Sequence, residues 1–276
     1  MTSMLPTLNE EFTNASLSGA YAVTCVSEGG YAPSGALGVY RFDGRGGFSG
    51  TIIVNGFGQP FGQRSILTAS MDGSYVIDDN GSGYGSLRAR VRFDAGFERE
   101  VSSTILITKA EVVGANKIAQ EIALMEDDVE PATGGLNMVL AIRHPDDGAF
   151  SLASFSGTYG GPGIGRGGRT PASAIGIGAV NFDGNGGFTA VDIQNLPRPG
   201  FTERYNATFD TEDGRYTVNP DGTGMIIAPG GQAPLVVTRS RVEGGVRVAL
   251  EYFFITNDAH PATGNLVTTT VSKRLP

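Results

Sequence analysis

Arg41-Phe42-Asp43-Gly44-Arg45-Gly46-Gly47-Phe48 returns later in the chain as Asn181-Phe182-Asp183-Gly184-Asn185-Gly186-Gly187-Phe188. Glycine accepts a positive φ without Cβ strain, so Asp43-Gly44 and Gly46-Gly47 read as a tight turn between two strands, and the second copy reads the same way. A hairpin that recurs whole raises the question of how much else is duplicated.

The flanks answer it. Ser16-Leu17-Ser18-Gly19-Ala20-Tyr21 returns as Ser154-Phe155-Ser156-Gly157-Thr158-Tyr159, and Phe61-Gly62-Gln63-Arg64 as Phe201-Thr202-Glu203-Arg204. Asp72-Gly73-Ser74-Tyr75-Val76 matches Asp213-Gly214-Arg215-Tyr216-Thr217, and Pro131-Ala132-Thr133-Gly134 matches Pro261-Ala262-Thr263-Gly264. The offset is 140 at Arg64/Arg204, 141 at Tyr75/Tyr216 and 130 at Pro131/Pro261, so the first copy carries about eleven extra residues before its last landmark. A unit of about 130 residues is domain-sized. We divide the chain into a leader (1–14), a first domain (15–143), a linker (144–150) and a second domain (151–276).

Composition sets the class. The 42 glycines among 276 residues are scattered between aromatic and β-branched runs, which argues for many short strands joined by tight turns and excludes collagen. A net charge of −8 disfavours nucleic acid, which needs a basic face. No apolar run approaches the ~20 residues of a membrane-spanning helix, and Met1 to Phe12 lacks the apolar core of a signal peptide, so no membrane and a cytoplasmic location are expected. The single Cys25 leaves no intramolecular disulfide and no cysteine-based zinc site.

Strands are expected at Tyr21–Val26, Leu37–Phe42, Phe48–Val54, Arg64–Ala69 and Tyr75–Ile77, with a turn at Asp72-Gly73. Recurrence every 10–15 residues or so suits a meandering barrel or sandwich. Read alone, Ala115 to Met125 is helix-like, with Ile118 and Ile122 four apart. Its repeat partner, Gly245 to Ile255, is strand-like by propensity, and homologous segments share a state, so both are assigned to strands. The extra residues of copy one lie near Arg90 to Glu100 and read as a long charged hairpin over a barrel mouth or the interdomain seam. Gly160 to Arg169 reads as a mobile loop; it lacks the Gly-Lys-Ser/Thr of a phosphate loop and the strand-to-helix turn of a dinucleotide fingerprint. The short linker packs the domains together, in the manner of a pseudo-two-fold dimer within one chain.

The polar constellation of most interest is duplicated. Glu121 and Glu251 occupy equivalent places in apolar strands, and Arg64 and Arg204 are equivalent arginines. Facing a barrel lumen, such a pair could bind or protonate a ligand, burial raising the carboxyl pKa and arginine lowering it. The stronger alternative is an internal ion pair that simply fixes strand register. Tyr21/Tyr159 and Tyr75/Tyr216 could donate to a ligand oxygen or simply pack in the sheet. Our candidates are Glu121, Glu251, Tyr159 and Tyr216 for catalysis, with Arg64, Arg204, Tyr21, Tyr75 and Phe253 for ligand binding. His144 and His260 show no His/Glu spacing for zinc, and the Asp-Gly turns lack the closing glutamate of a calcium loop, so no metal or other cofactor is expected.

The order Ser-Gly-x-Tyr, Phe-Asp-Gly-x-Gly-x-Phe, Gly-x-Tyr-x-Val/Ile, Asp/Asn-Gly-x-Gly, Thr-Gly resembles a tandem repeat of uncharacterised bacterial β-barrel proteins, over residues 16–143 and 154–274. In architecture the chain is similar to allene oxide cyclase-like and lipocalin-like barrels of the calycin type. The resemblance implies an all-β chain of two tandem antiparallel up-and-down barrels that bind a hydrophobic small molecule. In its most concrete form this is a cofactor-independent cyclase or isomerase of a polyketide- or lipid-like substrate. A non-catalytic carrier and a structural interaction module with filled barrels are the alternatives, and homo-oligomerisation is left open. Fold alone assigns none of these.

Overall fold

The computed structural model describes residues 11–28, 34–57, 64–78, 80–114, 116–127, 136–145, 148–166, 174–198, 203–229, 231–256, 266–269 and 272–276. The chain is all-β and forms two closed antiparallel barrels in tandem. The first is built from β1 Ser18–Glu28, β2 Gly35–Asp43, β3 Gly47–Phe57, β4 Arg64–Ile77, β5 Tyr84–Phe93, β6 Glu98–Val113, β7 Asn116–Glu126 and β8 Leu136–His144. Each strand pairs with the next, and β8 returns to β1 with Tyr21 opposite Arg143.

The second barrel repeats the plan with β9 Ser156–Arg166, β10 Ala174–Asp183, β11 Gly187–Pro197, β12 Arg204–Val218, β13 Thr223–Ala228, β14 Gly231–Glu243 and β15 Val246–Phe254. Its eighth place is shared by β16 Leu266–Thr269 and β17 Ser272–Arg274, both paired with β9. No helix among the described residues is long and apolar enough to cross a membrane.

The duplicated turn forms as its residues dictate. Asp43 Oδ1 accepts hydrogen bonds from the backbone N–H groups of Arg45 (2.7 Å) and Gly47 (2.8 Å), and Asp183 Oδ1 accepts from Asn185 (2.7 Å) and Gly187 (2.9 Å). These bonds hold both carboxyls below the usual aspartate range. Gly44 and Gly184 stand at φ 75° and 76°, where a side chain would be strained.

Asp72-Gly73 is not a turn. It lies inside β4, and Asp213-Gly214 lies inside β12. Glycine is needed there for closeness: a Cβ on Gly73 would fall 2.0 Å from the Arg88 carbonyl oxygen, and one on Gly214 would fall 2.3 Å from the Phe188 ring. A strand glycine of this kind marks a tight bend in a barrel wall. Gly160 to Arg166 likewise belongs to β9 rather than to a loop, because Gly161 and Gly163 face Gly178 and Gly176 across the ladder. Residues 167–169 lie outside the described residues. The helix-like stretch of copy one is β7, as its partner implied.

One end of each barrel is plugged in the same way. Tyr21, Phe42 and Tyr75 meet edge to face at 5.5 and 5.1 Å, and Tyr159, Phe182 and Tyr216 at 5.5 and 4.9 Å. Such pairs add about 0.5–1.5 kcal/mol each beyond the area they bury. A short 3-10 turn caps each plug, at Asn14–Ser16 and Leu152–Ser154.

The barrels meet through unlike faces. Ala20 and Ala22 of β1 with Leu37 and Val39 of β2 pack against Val236, Phe253 and Ile255 of the second barrel. His144, at the end of β8, donates from Nε2 to the Asp221 carbonyl at 2.7 Å and stacks on Phe150 at 5.0 Å. The linker is thereby clamped to the turn between β12 and β13.

Candidate functional site

Lumen-facing positions of the first barrel change character along its axis. Past the aromatic plug, the end reached by β1, β3, β5 and β7 carries polar side chains. The side-chain period of two puts Cys25 and Ser27 of β1 inward with Tyr21, and Asn137 of β8 faces Ser27 across the ladder. Arg99 stands opposite Val91 and Ser103 opposite Glu126, in register with the inward core residues Leu87 and Leu124.

Here an arginine and a glutamate do meet in a lumen. Arg99 Nη2 lies 3.2 Å from Glu126 Oε1, and Asn137 Nδ2 donates to Glu126 Oε2 at 2.5 Å. The side chains are only 27% and 14% exposed, so the pair is held largely out of water, where charge–charge attraction is strong and desolvation costly. Tyr40 lies over Gly50, and burial, with Cys25 and Glu126, pushes its phenol upward while Arg99 opposes. The Cys25 thiol is pushed up to about 12 by burial first and Glu126 second, against Arg99. Both groups therefore stay protonated at neutral pH. The fully buried Ser27 Oγ has no hydrogen-bond partner among the described residues. Together they give a cation, an anion, an amide and protonated donors around one end of a barrel.

The expected residues lie elsewhere. Glu121 and Glu251 face out of the lumens at the seam, where both bind Arg239 of β14; the Arg239 Nε to Glu251 Oε2 distance is 3.0 Å, and Lys273 Nζ stands 3.5 Å from Glu251. Phe253 is also a seam residue. Arg204 opens β12 and bonds the Asn195 side chain and carbonyl on the exterior. Arg64 opens β4, and its side chain, like His260, lies outside the described residues.

The four tyrosines are buried, and their phenols are spent on backbone. Tyr21 donates to the Ala119 carbonyl at 2.9 Å and Tyr159 to Ala249 at 2.7 Å. Tyr75 bonds Leu17 (2.7 Å) and Asn14 (2.9 Å), while Tyr216 bonds Phe155 (3.0 Å) and Leu152 (2.9 Å).

Arg99 and Glu126 escaped a search for duplicated polar residues because they are not duplicated. Arg99 enters β6 with the extra hairpin of copy one, whereas β14 begins only at Gly231, the repeat equivalent of Val101. Thr256 takes the place of Glu126. The alternation Arg99-Val101-Ser103-Ile105 was the available signal.

Comparison with family models finds no match, and comparison with curated proteins finds none. Among solved structures, a similar chain is the Aeromonas veronii immune modulator A, 10% identical over 93% of this chain and 94% of that one, with a TM-score of 0.23. A likeness of that size carries no argument.

Proposed function

We propose that the first barrel binds a small molecule with an apolar body and a polar head, the head engaging the lumen end formed by Arg99, Glu126, Asn137 and Tyr40. The observation that carries this reading is the Arg99–Glu126 pair inside the lumen. Removing two charges from water costs several kcal/mol per ion before their attraction repays it, so a barrel needing only stability would do as well with apolar residues there. Barrels of about eight strands have room for side chains or for one small ligand. The aromatic plug closes one end, and the polar end is where we place the head of the ligand.

Binding is favoured over turnover. A cyclase or isomerase without cofactor needs a group that gives or takes a proton at the reacting atom. The four tyrosines are committed to carbonyls, and Cys25 is a poor nucleophile with its thiol pushed up to about 12. Tyr40 as hydrogen-bond donor and Glu126 as proton acceptor are what a catalytic version would use. The filled plugs support the module reading for the second barrel, where the described residues include no equivalent ion pair.

Native mass spectrometry of protein purified from its own host tests the proposal, with Arg99→Met and Glu121→Gln alongside. Retention of a small molecule by wild type and Glu121→Gln, and its loss from folded Arg99→Met, is the expected result. Wild-type protein that arrives empty and takes up neither anionic nor cationic naphthalene dyes would sink it.

A further inference from the structure

The second barrel has a gap where the first has its long hairpin. From Arg204 to Gly214, β12 pairs with β11 on one side, and among the described residues nothing pairs with its other edge, because β13 reaches only Arg215 to Val218. In the first barrel the equivalent edge of β4 is covered by β5, from Ala69–Phe93 down to Ile77–Gly85. The consequence shows in burial. Phe209, in the lumen-facing place of Ala69, is 40% exposed, whereas Ala69 is 1% exposed.

We propose that this edge takes an extended segment of a partner protein as an added strand, with apolar residues facing the lumen and basic residues facing out. A strand edge offers a row of unpaired backbone donors and acceptors, and strand addition uses them for affinity while alternate side chains set specificity. The first barrel shows the pattern that fits. Its β5 sends Ala89, Val91 and Phe93 inward and Arg88, Arg90 and Arg92 outward, and Arg92 closes an ion pair with Asp72 of β4. On β12 the outward side carries Asp210 opposite Val191, and Glu212 and Asp213 follow at the register shift. None of these three has an ion-pair partner among the described residues. A second copy of the chain is disfavoured as occupant, since it would bring a second Asp210 and Glu212 to the same edge.

The probe is a fluorescent peptide copying residues 86–94, Ser-Leu-Arg-Ala-Arg-Val-Arg-Phe-Asp, tested against the full chain beside a scrambled peptide without alternation. Binding should protect amides in 204–214 from hydrogen exchange, and Asp210→Lys with Glu212→Lys should weaken it about tenfold with thermal stability unchanged. Equal binding of both peptides, no binding, or protection elsewhere overturns the proposal. So does a concentration-dependent dimer with 204–214 protected in the absence of peptide, which would assign the edge to a second copy.

Discussion

Arg239 of the second barrel and Glu121 of the first close an ion pair across the seam, joining positions 118 apart in the chain. The same guanidinium holds Glu251, the repeat equivalent of Glu121, at 3.0 Å. Two glutamates that duplication made equivalent have been drawn to one arginine by the way the barrels dock. Arg239→Ala takes the guanidinium from Glu121 and leaves Glu251 with Lys273 alone, in a partly buried place, and is expected to cost about 1–3 kcal/mol, between exposed and buried pairs. Glu251→Gln should cost less, because Arg239 keeps Glu121. Urea unfolding reads both, and an Arg239→Ala midpoint equal to wild type would show that the apolar seam alone holds the barrels.

His144 makes the seam sensitive to acid. Burial, the leading cause, holds its pKa below the free value of 6.5, against the Asp221 carbonyl. The unfolded chain therefore binds a proton more readily, and stability rises with pH through this window. His144's contribution is complete above about pH 6.5, declines as pH falls through that value, and levels off below the folded pKa. Asp43, Asp183 and Glu243, all shifted down, act only at lower pH. Melting temperature should fall between pH 7.5 and 5.5, and His144→Gln should flatten the slope. An unchanged slope in that variant would move the effect to another group.

The strand glycines separate closeness from turn formation. Gly73→Ala puts a methyl 2.0 Å from a backbone oxygen and should cost more than about 3 kcal/mol or prevent folding. Gly160→Ala, at ordinary contact distance of 3.5 Å and without positive φ, should stay within about 0.5 kcal/mol of wild type. Denaturation of the pair checks this, and equal stabilities would mean that β4 can relax away from β5.

Why some of this was legible and some was not follows from the residues. The hairpin at Asp43-Gly44 is local chemistry, so it could be read directly. The strand state of Asn116–Glu126 was legible only because Val246–Phe254 states it more plainly, through its β-branched and aromatic Val246, Val248, Tyr252, Phe253 and Phe254. Asp72-Gly73 misled because the dipeptide that makes a turn also makes a bend, and only the Arg88 carbonyl across the ladder decides between them. Gly160 to Arg166 misled for a related reason: its strand is imposed by pairing partners, not by propensity. Duplication, so useful for the fold, pointed away from the site, since it draws attention to what the copies share, and Arg99–Glu126 belongs to what they do not.

Cys25 reports on that site without any ligand in hand. With its pKa pushed up to about 12, the thiolate fraction at pH 7.5 is about a thousandfold below that of a free thiol, and alkylation by iodoacetamide should slow accordingly. The neighbours set the sign of each variant. Glu126 raises the thiol pKa, so Glu126→Gln should speed labelling; Arg99 lowers it, so Arg99→Gln should slow labelling further. Opposite shifts from these two variants, with circular dichroism unchanged, would place both charges beside the thiol inside an intact lumen. Labelling that accelerates equally in both would mean that each simply loosens the barrel, and the ion pair would then count as a register lock between β6 and β7.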